Sequence, residues 1–309
     1  MKILITGGSG FIGQHLVRAL MIDGHDVLNI DKQTMPKNAL NMLPRLEGVA
    51  GHYFERVFDI ADGEQLDKAM VESKPDAMFH LAAMSRVQQC DMNKMEALAS
   101  NVGGTFVVCY AAAEYKVPLL VVSSSAVYGD YCMTMTVDQT NLQPLGLYGK
   151  TKLEAEWIAM TFRKEANAPI QVIRPFNVFG PGSPTSGPYA PVVGRFLDQW
   201  KECQPLTVVG NGSQRRDFIH VQDLVDLMVL ALLDDAFQEP IINGGSGTNY
   251  SIKQIADAID PKGEDQVELP PRDEPEATLA DMSNVYAFFN WRPTKDVLTY
   301  ANHEARRHD

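Results

Sequence analysis

The sequence has few cysteines, and they lie far apart. Cys90, Cys109, Cys132 and Cys203 form no C-x-x-C pair. Structural zinc sites and disulfide frameworks need characteristic cysteine spacings, so we expect neither, and no metal ion. The thiols are interpreted as buried or idle groups in a reducing compartment.

Long apolar runs are also lacking. The longest candidate membrane stretch, Leu224–Leu233, is about half the length that a spanning helix needs, and it carries Asp226. The apolar run that starts at Lys2 reaches the first glycines too soon for a signal peptide. We therefore expect a cytoplasmic protein without membrane contact.

Basic charge is the third deficit, because 27 Lys and Arg residues stand against 39 Asp and Glu residues, for a formal net charge of −12. Nucleic-acid-binding proteins neutralise phosphates with clustered basic residues. No basic stripe is present, so nucleic acid is excluded as a general partner. A local basic pocket for a small anion remains compatible with this balance.

The chain has 309 residues, 45% of them apolar, which suffices for a large core in one or two domains. Short continuous apolar runs alternate with longer amphipathic ones in a βαβαβ order, which predicts a parallel sheet covered by helices on both faces. The predicted strands are Lys2–Thr6, Val27–Ile30, Ala77–Leu81, Leu119–Ser123 and Ile170–Arg174. The predicted helices are Phe11–Met21, Glu64–Glu72, about Lys94–Tyr115 and Tyr148–Ala166.

The pattern changes after Arg174. Proline and glycine crowd the stretch Gly180–Pro191, which predicts a long irregular loop. Short strands and two helices follow, near 194–202 and over 223–233. The predicted domains are 1–175 with about 214–243, which binds a dinucleotide, and about 176–213 with 244–309, which binds substrate.

A glycine-rich segment, ITGGSGFIG, joins the first predicted strand to the first predicted helix. Gly8, Gly10 and Gly13 match G-x-G-x-x-G, and Gly7, Gly10 and Gly13 match the looser G-x-x-G-x-x-G. Such loops use glycine for a tight turn, for close approach to a pyrophosphate and for packing of helix on strand. The segment predicts dinucleotide binding; a glycine turn without ligand is the alternative.

Asp31 follows the second predicted strand, about 20 residues after the loop, where a ribose-binding acid is expected. Its carboxylate would repel a 2′-phosphate, which favours NAD over NADP. Neighbouring Lys32 weakens that preference.

The segment LYGKTK places Tyr148 four residues before Lys152 at the start of a predicted helix, so both side chains lie on one face. An exposed polar face is the simplest interpretation. The alternative is a catalytic base: a free tyrosine has a pKa near 10, and a neighbouring ammonium and an oxidised nicotinamide would favour its phenolate.

Together with these motifs, further segments resemble those of extended short-chain dehydrogenase/reductases of the nucleotide-sugar epimerase/dehydratase group. The resemblance implies a Rossmann-type doubly wound parallel sheet with a smaller mixed α/β substrate-binding domain. The segments are HLAA at 80–83, NVGGT at 101–105, VVSSSAVYG at 121–129, RPFNVFGPG at 174–182 and RRDFIHVQD at 215–223.

The resemblance implies an NAD site and a catalytic set. Tyr148 would be the base. Lys152 would lower the pKa of the Tyr148 phenol and bind the nicotinamide ribose. Ser124 would supply the hydroxyl that binds the reacting sugar oxygen, with the neighbouring Ser123 and Ser125 as alternatives. The implied cofactor residues are Gly7, Gly10, Phe11, Ile12, Gly13, Asp31, Asp59, Ile60, Leu81, Ala82, Ala83, Asn101, Ser123, Tyr148, Lys152 and Pro175.

The resemblance also implies a nucleotide-sugar substrate, most simply a UDP-sugar. Arginine suits the diphosphate because its planar fork matches phosphate oxygens. Thr278 would line the sugar pocket and leave room for N-acetylhexosamines, and Arg86 would reach an acidic substrate or only cap the surface. The implied substrate residues are Ser85, Arg86, Ser124, Tyr148, Asn177, Arg216, Arg272 and Thr278.

Relatives that dehydrate the sugar carry an acidic residue one or two places after the catalytic hydroxyl. Ser125 and Ala126 stand there in this chain, which argues against dehydration and decarboxylation. The sequence therefore predicts an isomerase that inverts C4 of a nucleotide sugar through a 4-keto intermediate. A 4-ketoreductase and a non-catalytic NAD-sensing protein are the alternatives. The helices 94–115 and 148–166 resemble those that pair in homodimers of relatives.

Overall fold

The computed structural model describes residues 1–43, 51–130, 134–137, 142–185, 190–233, 239–272 and 274–307. Cys132 and part of the predicted loop Gly180–Pro191 lie outside these residues. Cys90 and Cys109 are buried free thiols, and Cys203 is an exposed one.

Twelve strands and twelve α-helices are found in these ranges. The strands are β1 Lys2–Thr6, β2 Asp26–Asp31, β3 Tyr53–Val57, β4 Ala77–His80, β5 Leu119–Val122, β6 Ile170–Pro175, β7 Asn177–Phe179, β8 Leu206–Val209, β9 Arg215–His220, β10 Ile241–Gly244, β11 Asn249–Ser251 and β12 Gln266–Leu269. The helices are α1 Phe11–Ile22, α2 Lys37–Met42, α3 Gly63–Ser73, α4 Val87–Met92, α5 Lys94–Leu98, α6 Gly104–Tyr115, α7 Gly146–Glu165, α8 Val192–Lys201, α9 Val221–Leu233, α10 Ile252–Ile259, α11 Ser283–Phe289 and α12 Val297–Arg306.

Seven strands form the main sheet in the order β10-β6-β5-β4-β1-β2-β3. The pairs from β3 to β6 run parallel. The chain moves outward from β1 to β3 and then returns to the other side with β4, so the strand order reverses between β1 and β4. In open α/β sheets, ligands bind at the carboxyl ends of the strands beside such a reversal. The predicted doubly wound sheet is confirmed.

The central strands are buried on both faces, which explains why their sequences are continuously apolar; β4, β5 and β6 are buried along their whole length. The edge strand β3 was not predicted from the sequence. Its residues YFERV are mostly exposed and partly charged, so they lack the apolar signature of the central strands.

The predicted helix Lys94–Tyr115 is interrupted. Between α5 and α6, residues Ala99–Gly103 form a turn of π-helix. The extra residue of a π turn shifts the register of the side chains, and such turns occur frequently at functional sites. Asn101 lies inside this turn.

Two compact units are defined by the packing of the chain. The first comprises Met1–Val127, Pro144–Arg174 and Val225–Ile242, and the second comprises Tyr128–Gln143, Pro175–Leu224 and Asn243–Asp309, within the described residues. The assignment of a dinucleotide to one predicted domain and a substrate to the other stays a prediction.

The second unit has its own core. The small sheet β11-β9-β7 and the pair β12-β8 are accompanied by α8, α10 and α12. Buried side chains from these helices and strands, among them Phe179, Phe196, Ile255 and Ala301, form one apolar cluster. Ser251 begins α10 with a reciprocal capping box to Gln254, which satisfies the first backbone donors of that helix.

An ion pair is buried inside the first unit. Arg174 at the end of β6 donates from Nε and Nη2 to the carboxylate of Glu156 on α7, at 2.9 and 2.7 Å, and both side chains are only 2% exposed. The Ser123 hydroxyl donates to the same carboxylate at 2.5 Å. The pair joins β5, β6 and α7 where these elements approach the candidate active site.

We expect Arg174→Leu to reduce the free energy of unfolding by about 3–5 kcal/mol, because it leaves the Glu156 carboxylate buried without its counter-ion. Urea unfolding followed by circular dichroism measures the change. Lys164→Leu is the matched control, since the ion pair of Lys164 with Glu165 is exposed and such pairs contribute at most about 1 kcal/mol. Equal losses in the two variants would contradict the importance of the buried pair.

Candidate active site

The glycine loop between β1 and α1 packs against the segment that follows β4. Gly7 has φ +80°, and a Cβ there would lie 2.5 Å from the backbone nitrogen of Ala82. A Cβ on Gly13 would lie 2.3 Å from the Gly7 carbonyl oxygen, so only glycine lets α1 begin this close to the loop. Gly10 is exposed, and a Cβ there would meet only the Gly7 carbonyl oxygen. These contacts leave an open, backbone-lined cradle at the N-terminus of α1, as a pyrophosphate requires.

Asn29 on β2 forms hydrogen bonds with the glycine loop, a role that was not predicted from the sequence. The side chain is 1% exposed; its Oδ1 accepts from the Gly8 backbone nitrogen at 2.9 Å, and its Nδ2 donates to the hydroxyls of Ser9 and Tyr53, both at 3.1 Å. A buried polar residue in an otherwise apolar strand was the available signal, because such a group requires partners.

Asp31 lies at the end of β2, beside the loop. One carboxylate oxygen accepts from the Ser9 backbone nitrogen at 3.1 Å and the other from the Gln33 backbone nitrogen at 3.1 Å. Lys32 pairs with Asp59 at 3.1 Å and with Glu96 at 3.5 Å. Two carboxylates therefore engage the lysine that would otherwise favour a 2′-phosphate, which strengthens the preference for NAD.

The other predicted cofactor residues lie along the same edge of the sheet. Phe11 and Ile12 begin α1, Ile60 is buried against Gly104, Leu81 to Ala83 follow β4, and Pro175 ends β6. Ser85 and Arg86 are exposed immediately before α4.

The helix α7 lies very close to the turn that follows β5. A Cβ on Gly149 would lie 2.8 Å from the Ala126 carbonyl oxygen, so glycine is required at this crossing. The approach brings the Ser124 hydroxyl into a hydrogen bond with the Tyr148 phenol. Lys152, one turn along α7 and 7% exposed, donates from Nζ to the Val122 carbonyl at 2.7 Å. The three predicted catalytic side chains thus come together in the first unit.

Burial controls the ionisation of this group. Desolvation raises the pKa of Tyr148 above its ordinary value, and the hydrogen bond from Ser124 opposes that rise. Desolvation lowers the pKa of Lys152 to about 8. The negative charge of Glu156 opposes this change because it raises the pKa. In the protein alone, the phenol is therefore a weaker acid than free tyrosine, and phenolate formation depends on positive charge supplied beside the ring.

Asn101 connects the π turn to the catalytic helix. Its Oδ1 accepts from the Met84 backbone nitrogen at 2.7 Å, and its Nδ2 donates to the Met84 carbonyl at 3.1 Å and to the Thr151 hydroxyl at 3.0 Å. The Thr151 hydroxyl donates to the Tyr148 carbonyl at 2.9 Å. Asn101 thereby joins the segment after β4 to the turn of α7 that carries the tyrosine.

A buried histidine supports the π turn from the sheet. The Thr105 hydroxyl donates its one hydrogen to the Asn101 carbonyl at 2.6 Å, so it accepts from His80 Nε2 at 2.9 Å. The Thr6 hydroxyl then donates to His80 Nδ1 at 2.7 Å. Burial lowers the pKa of His80 to about 3, and the ring is neutral at physiological pH.

The predicted substrate residues outside the first unit lie in the second. Asn177 and Arg216 stand on the neighbouring strands β7 and β9, and Asn177 Nδ2 donates to the Asp217 carbonyl at 2.7 Å. Arg272 is exposed in the segment that follows β12. Thr278 is 9% exposed, and its hydroxyl accepts from the Asp217 backbone nitrogen at 3.2 Å. The role of Thr278 in sugar selection stays a prediction.

Asp217 organises this part of the second unit and was not singled out from the sequence. Its fully buried carboxylate accepts from the backbone nitrogens of Ser246, Gly247 and Ala280 at 2.8, 3.0 and 3.1 Å. Burial raises the pKa of Asp217 to about 6, while these donors oppose the rise. The carboxylate holds two loops next to Arg216.

The described ranges contain no group of three His, Cys, Asp or Glu side chains arranged to hold a metal ion. They also contain no helix long and apolar enough to cross a membrane.

A dinucleotide cradle at the sheet reversal and a Ser-Tyr-Lys group beside it define a nucleotide-cofactor enzyme of the short-chain dehydrogenase/reductase type. The sequence profile of the NAD dependent epimerase/dehydratase family matches residues 3–245, and the chain belongs to that family. NAD is the cofactor of the family, and the loop around Gly7, Gly10 and Gly13 has the open backbone that its pyrophosphate needs.

Individual relatives differ in reaction. The uncharacterized UDP-glucose epimerase YtcB of Bacillus subtilis is 30% identical, over 97% of this chain and 96% of that protein. UDP-glucuronic acid decarboxylase 4 of Arabidopsis thaliana is 28% identical over 95% of this chain, which spans only 65% of that protein's length. The structure of UDP-glucuronic acid 4-epimerase from Bacillus cereus, in complex with UDP-glucuronic acid and NAD, matches with a TM-score of 0.85 and 27% identity over 100% of this chain and 99% of that one.

We expect Asp31→Asn to lower the Kd for NADP by about tenfold or more, because it removes the charge that opposes a 2′-phosphate near the end of β2. The Kd for NAD should change less, since the amide oxygen still accepts one of the two hydrogen bonds that the carboxylate accepts. Isothermal titration calorimetry with both coenzymes measures the two values. Asp23→Asn, a surface position at the end of α1, is the control. An unchanged NADP affinity would contradict the role of Asp31.

Proposed function

We propose that this protein is an NAD-dependent epimerase that inverts C4 of a nucleotide-diphosphate sugar, with a UDP-sugar as the most suitable substrate. The observation that carries the proposal is the group of Ser124, Tyr148 and Lys152 at the end of β5 and the start of α7. The family supplies the class of reaction, and relatives named as UDP-sugar 4-epimerases support the choice of C4.

In this proposal, Tyr148 exchanges a proton with the C4 hydroxyl of the sugar. NAD, when bound by the glycine loop, would supply the acceptor and donor of the C4 hydride and, in its oxidised form, positive charge beside the phenol. The Ser124 hydroxyl donates to the phenol oxygen in the protein alone and is placed to bind the same sugar oxygen. Lys152 Nζ is held by the Val122 carbonyl, one helical turn from Tyr148, and is proposed to contribute positive charge to the site.

The residues after Ser124 favour epimerisation over elimination of water or loss of a carboxyl group. Ser125 and Ala126 open the short 3₁₀ turn over Ser125–Tyr128, and neither carries a carboxylate. An elimination needs an acid and a base at the neighbouring carbons. Without them, elimination of water lacks its acid and base, which supports oxidation at C4 followed by return of the hydride as the proposed reaction.

We assign the binding of the substrate diphosphate to residues of the second unit. Asn177, Arg216 and Arg272 are proposed to bind the diphosphate, because two guanidinium groups and an amide are donors that fit phosphate oxygens. Arg86 is exposed. Its assignment to an acidic sugar is tested by the turnover of UDP-glucuronate in the experiment described next.

The test is to incubate the purified protein with UDP-glucose, UDP-N-acetylglucosamine and UDP-glucuronate and to follow the products by NMR. We expect interconversion with the C4 epimer of at least one sugar, without consumption of added coenzyme. Tyr148→Phe should reduce turnover by at least about 10³-fold at unchanged NAD affinity, because it removes the proton acceptor. Net consumption of NADH would indicate a reductase, and decarboxylated or dehydrated products would overturn the assignment to C4 epimerisation.

A homodimer through α6 and α7 is part of the proposal. Phe106, Tyr110 and Trp157 are 49%, 53% and 63% exposed on these two packed helices, and Phe106 and Tyr110 flank the ring of Phe162. Large exposed aromatic residues are characteristic of protein interfaces. A second copy of this chain is the partner that the resemblance implies.

We expect Trp157→Glu to convert the proposed dimer into a monomer, because a charge buried without a partner in an interface is unfavourable. Size-exclusion chromatography with multi-angle light scattering measures the mass. Phe288→Glu, at a 48% exposed aromatic residue on α11, should leave the mass unchanged. A monomeric wild type would refute the proposed interface.

A further inference from the structure

A cluster of opposite charges occupies the part of the second unit where the diphosphate is proposed to bind. Arg216 on β9 is 9% exposed and has two guanidinium contacts. Nη1 donates to the Arg215 carbonyl at 2.8 Å, and Nη2 pairs with the carboxylate of Glu274 at 2.8 Å. The group proposed to bind a phosphate thus already binds an anion of the protein itself.

Glu274 is poorly anchored apart from this ion pair. Its side chain is 36% exposed and stands on an irregular segment after β12. The other contact of its carboxylate is with Gln214 Nε2 at 3.2 Å, and that amide also donates to the Val209 carbonyl at 3.0 Å. A partly exposed carboxylate on a loop can leave its partner at little cost, because water solvates it again.

Arg195 on α8 adds a third guanidinium to the cluster, and neither motif nor resemblance singled it out. Its Nη2 donates to the Thr207 carbonyl at 3.3 Å, and its Nε is buried without a hydrogen-bond partner among the residues that the structure describes. Burial lowers the pKa of Arg195, the charge of Arg272 lowers it further, and that of Glu274 raises it. Both groups therefore lie within electrostatic range of Arg195.

Arg216 pairs with Glu274, and the charges of Arg272 and Glu274 both act on Arg195, so three guanidinium groups are gathered in one part of a chain whose net charge is −12. Like charges held together in a partly buried site are unfavourable unless an anion joins them. A buried donor without a partner is also unfavourable, and a phosphate oxygen would satisfy it. The cluster therefore matches an anion with more charge and more acceptor oxygens than one carboxylate.

We propose that Arg195 forms the diphosphate site together with Arg216 and Arg272, and that Glu274 is an internal competitor that occupies Arg216 until the diphosphate displaces it. The inference rests on the proposed nucleotide-sugar function and adds a third arginine and a built-in counter-ion to its binding site. The competitor makes each binding event an exchange of one anion for another. Its removal should therefore tighten the binding of any diphosphate.

The first test replaces the competitor. Glu274→Gln keeps the shape of the side chain and removes its charge, and we expect the Kd for UDP to fall by about fivefold to tenfold in isothermal titration calorimetry of the NAD-bound protein. Glu276→Gln is the matched control, since it makes the same charge change at an exposed position two residues away and should alter the Kd by less than about twofold. A weaker affinity in Glu274→Gln would overturn the proposal and make Glu274 a residue that positions Arg216.

The second test removes the third arginine. Arg195→Gln should raise the Kd for UDP by about tenfold and leave the Kd for NAD unchanged. Arg306→Gln, at an exposed position on α12, controls for the loss of one positive charge. Thermal unfolding of each variant verifies the fold. An unchanged UDP affinity in folded Arg195→Gln would remove Arg195 from the site.

Inorganic pyrophosphate separates this inference from the proposed function. If the wild type binds pyrophosphate and the Glu274→Gln variant binds it more tightly, the anion site and its competitor are supported even when UDP does not bind. In that case the nucleotide-sugar assignment fails and the inference stands. If UDP binds to the wild type but Glu274→Gln changes neither affinity, the inference fails and the proposed function stands.

Discussion

The close approach of α7 to the end of β5 is the contact on which the candidate active site depends. A side chain at position 149 would collide with the Ala126 carbonyl, so glycine alone permits the approach. It places Tyr148 beside Ser124 and sets Lys152 one turn further along the same buried face. Ser124 and Tyr148 thus meet, and Lys152 is held by the Val122 carbonyl on the same helix, which is the kind of preorganisation that proton transfer needs.

Each unit contains a buried carboxylate that joins the elements around its functional residues. In the first, Glu156 binds Arg174 and Ser123 next to the catalytic helix. In the second, Asp217 gathers the backbone donors of two loops beside Arg216. A buried carboxylate is unfavourable by itself, so it requires several donors at once, and this requirement fixes the geometry of the loops it holds.

Sequence patterns over a few residues predicted those strands and helices whose formation depends on the same few residues. Continuous apolar runs identified the central strands to within two residues, because burial on both faces demands them. The edge strand β3 was not predicted, because its exposed positions carry charged residues. The structural roles of Asn29, His80 and Asp217 were not predicted either. Their partners lie 20 or more residues away along the chain, and no local sequence pattern predicts such a pairing.

The sequence by itself determined the glycine loop, the tyrosine and lysine one turn apart, and the buried strands, because each depends on backbone sterics or helical periodicity over a few residues. Only the tertiary structure decided the ionisation and pairing of the charged groups. It decided that burial raises the pKa of Tyr148, that Lys32 is engaged by two carboxylates, and that Arg216 holds Glu274. Desolvation and Coulomb interactions depend on distances in space between residues remote in the chain, so they appear only once the chain is folded.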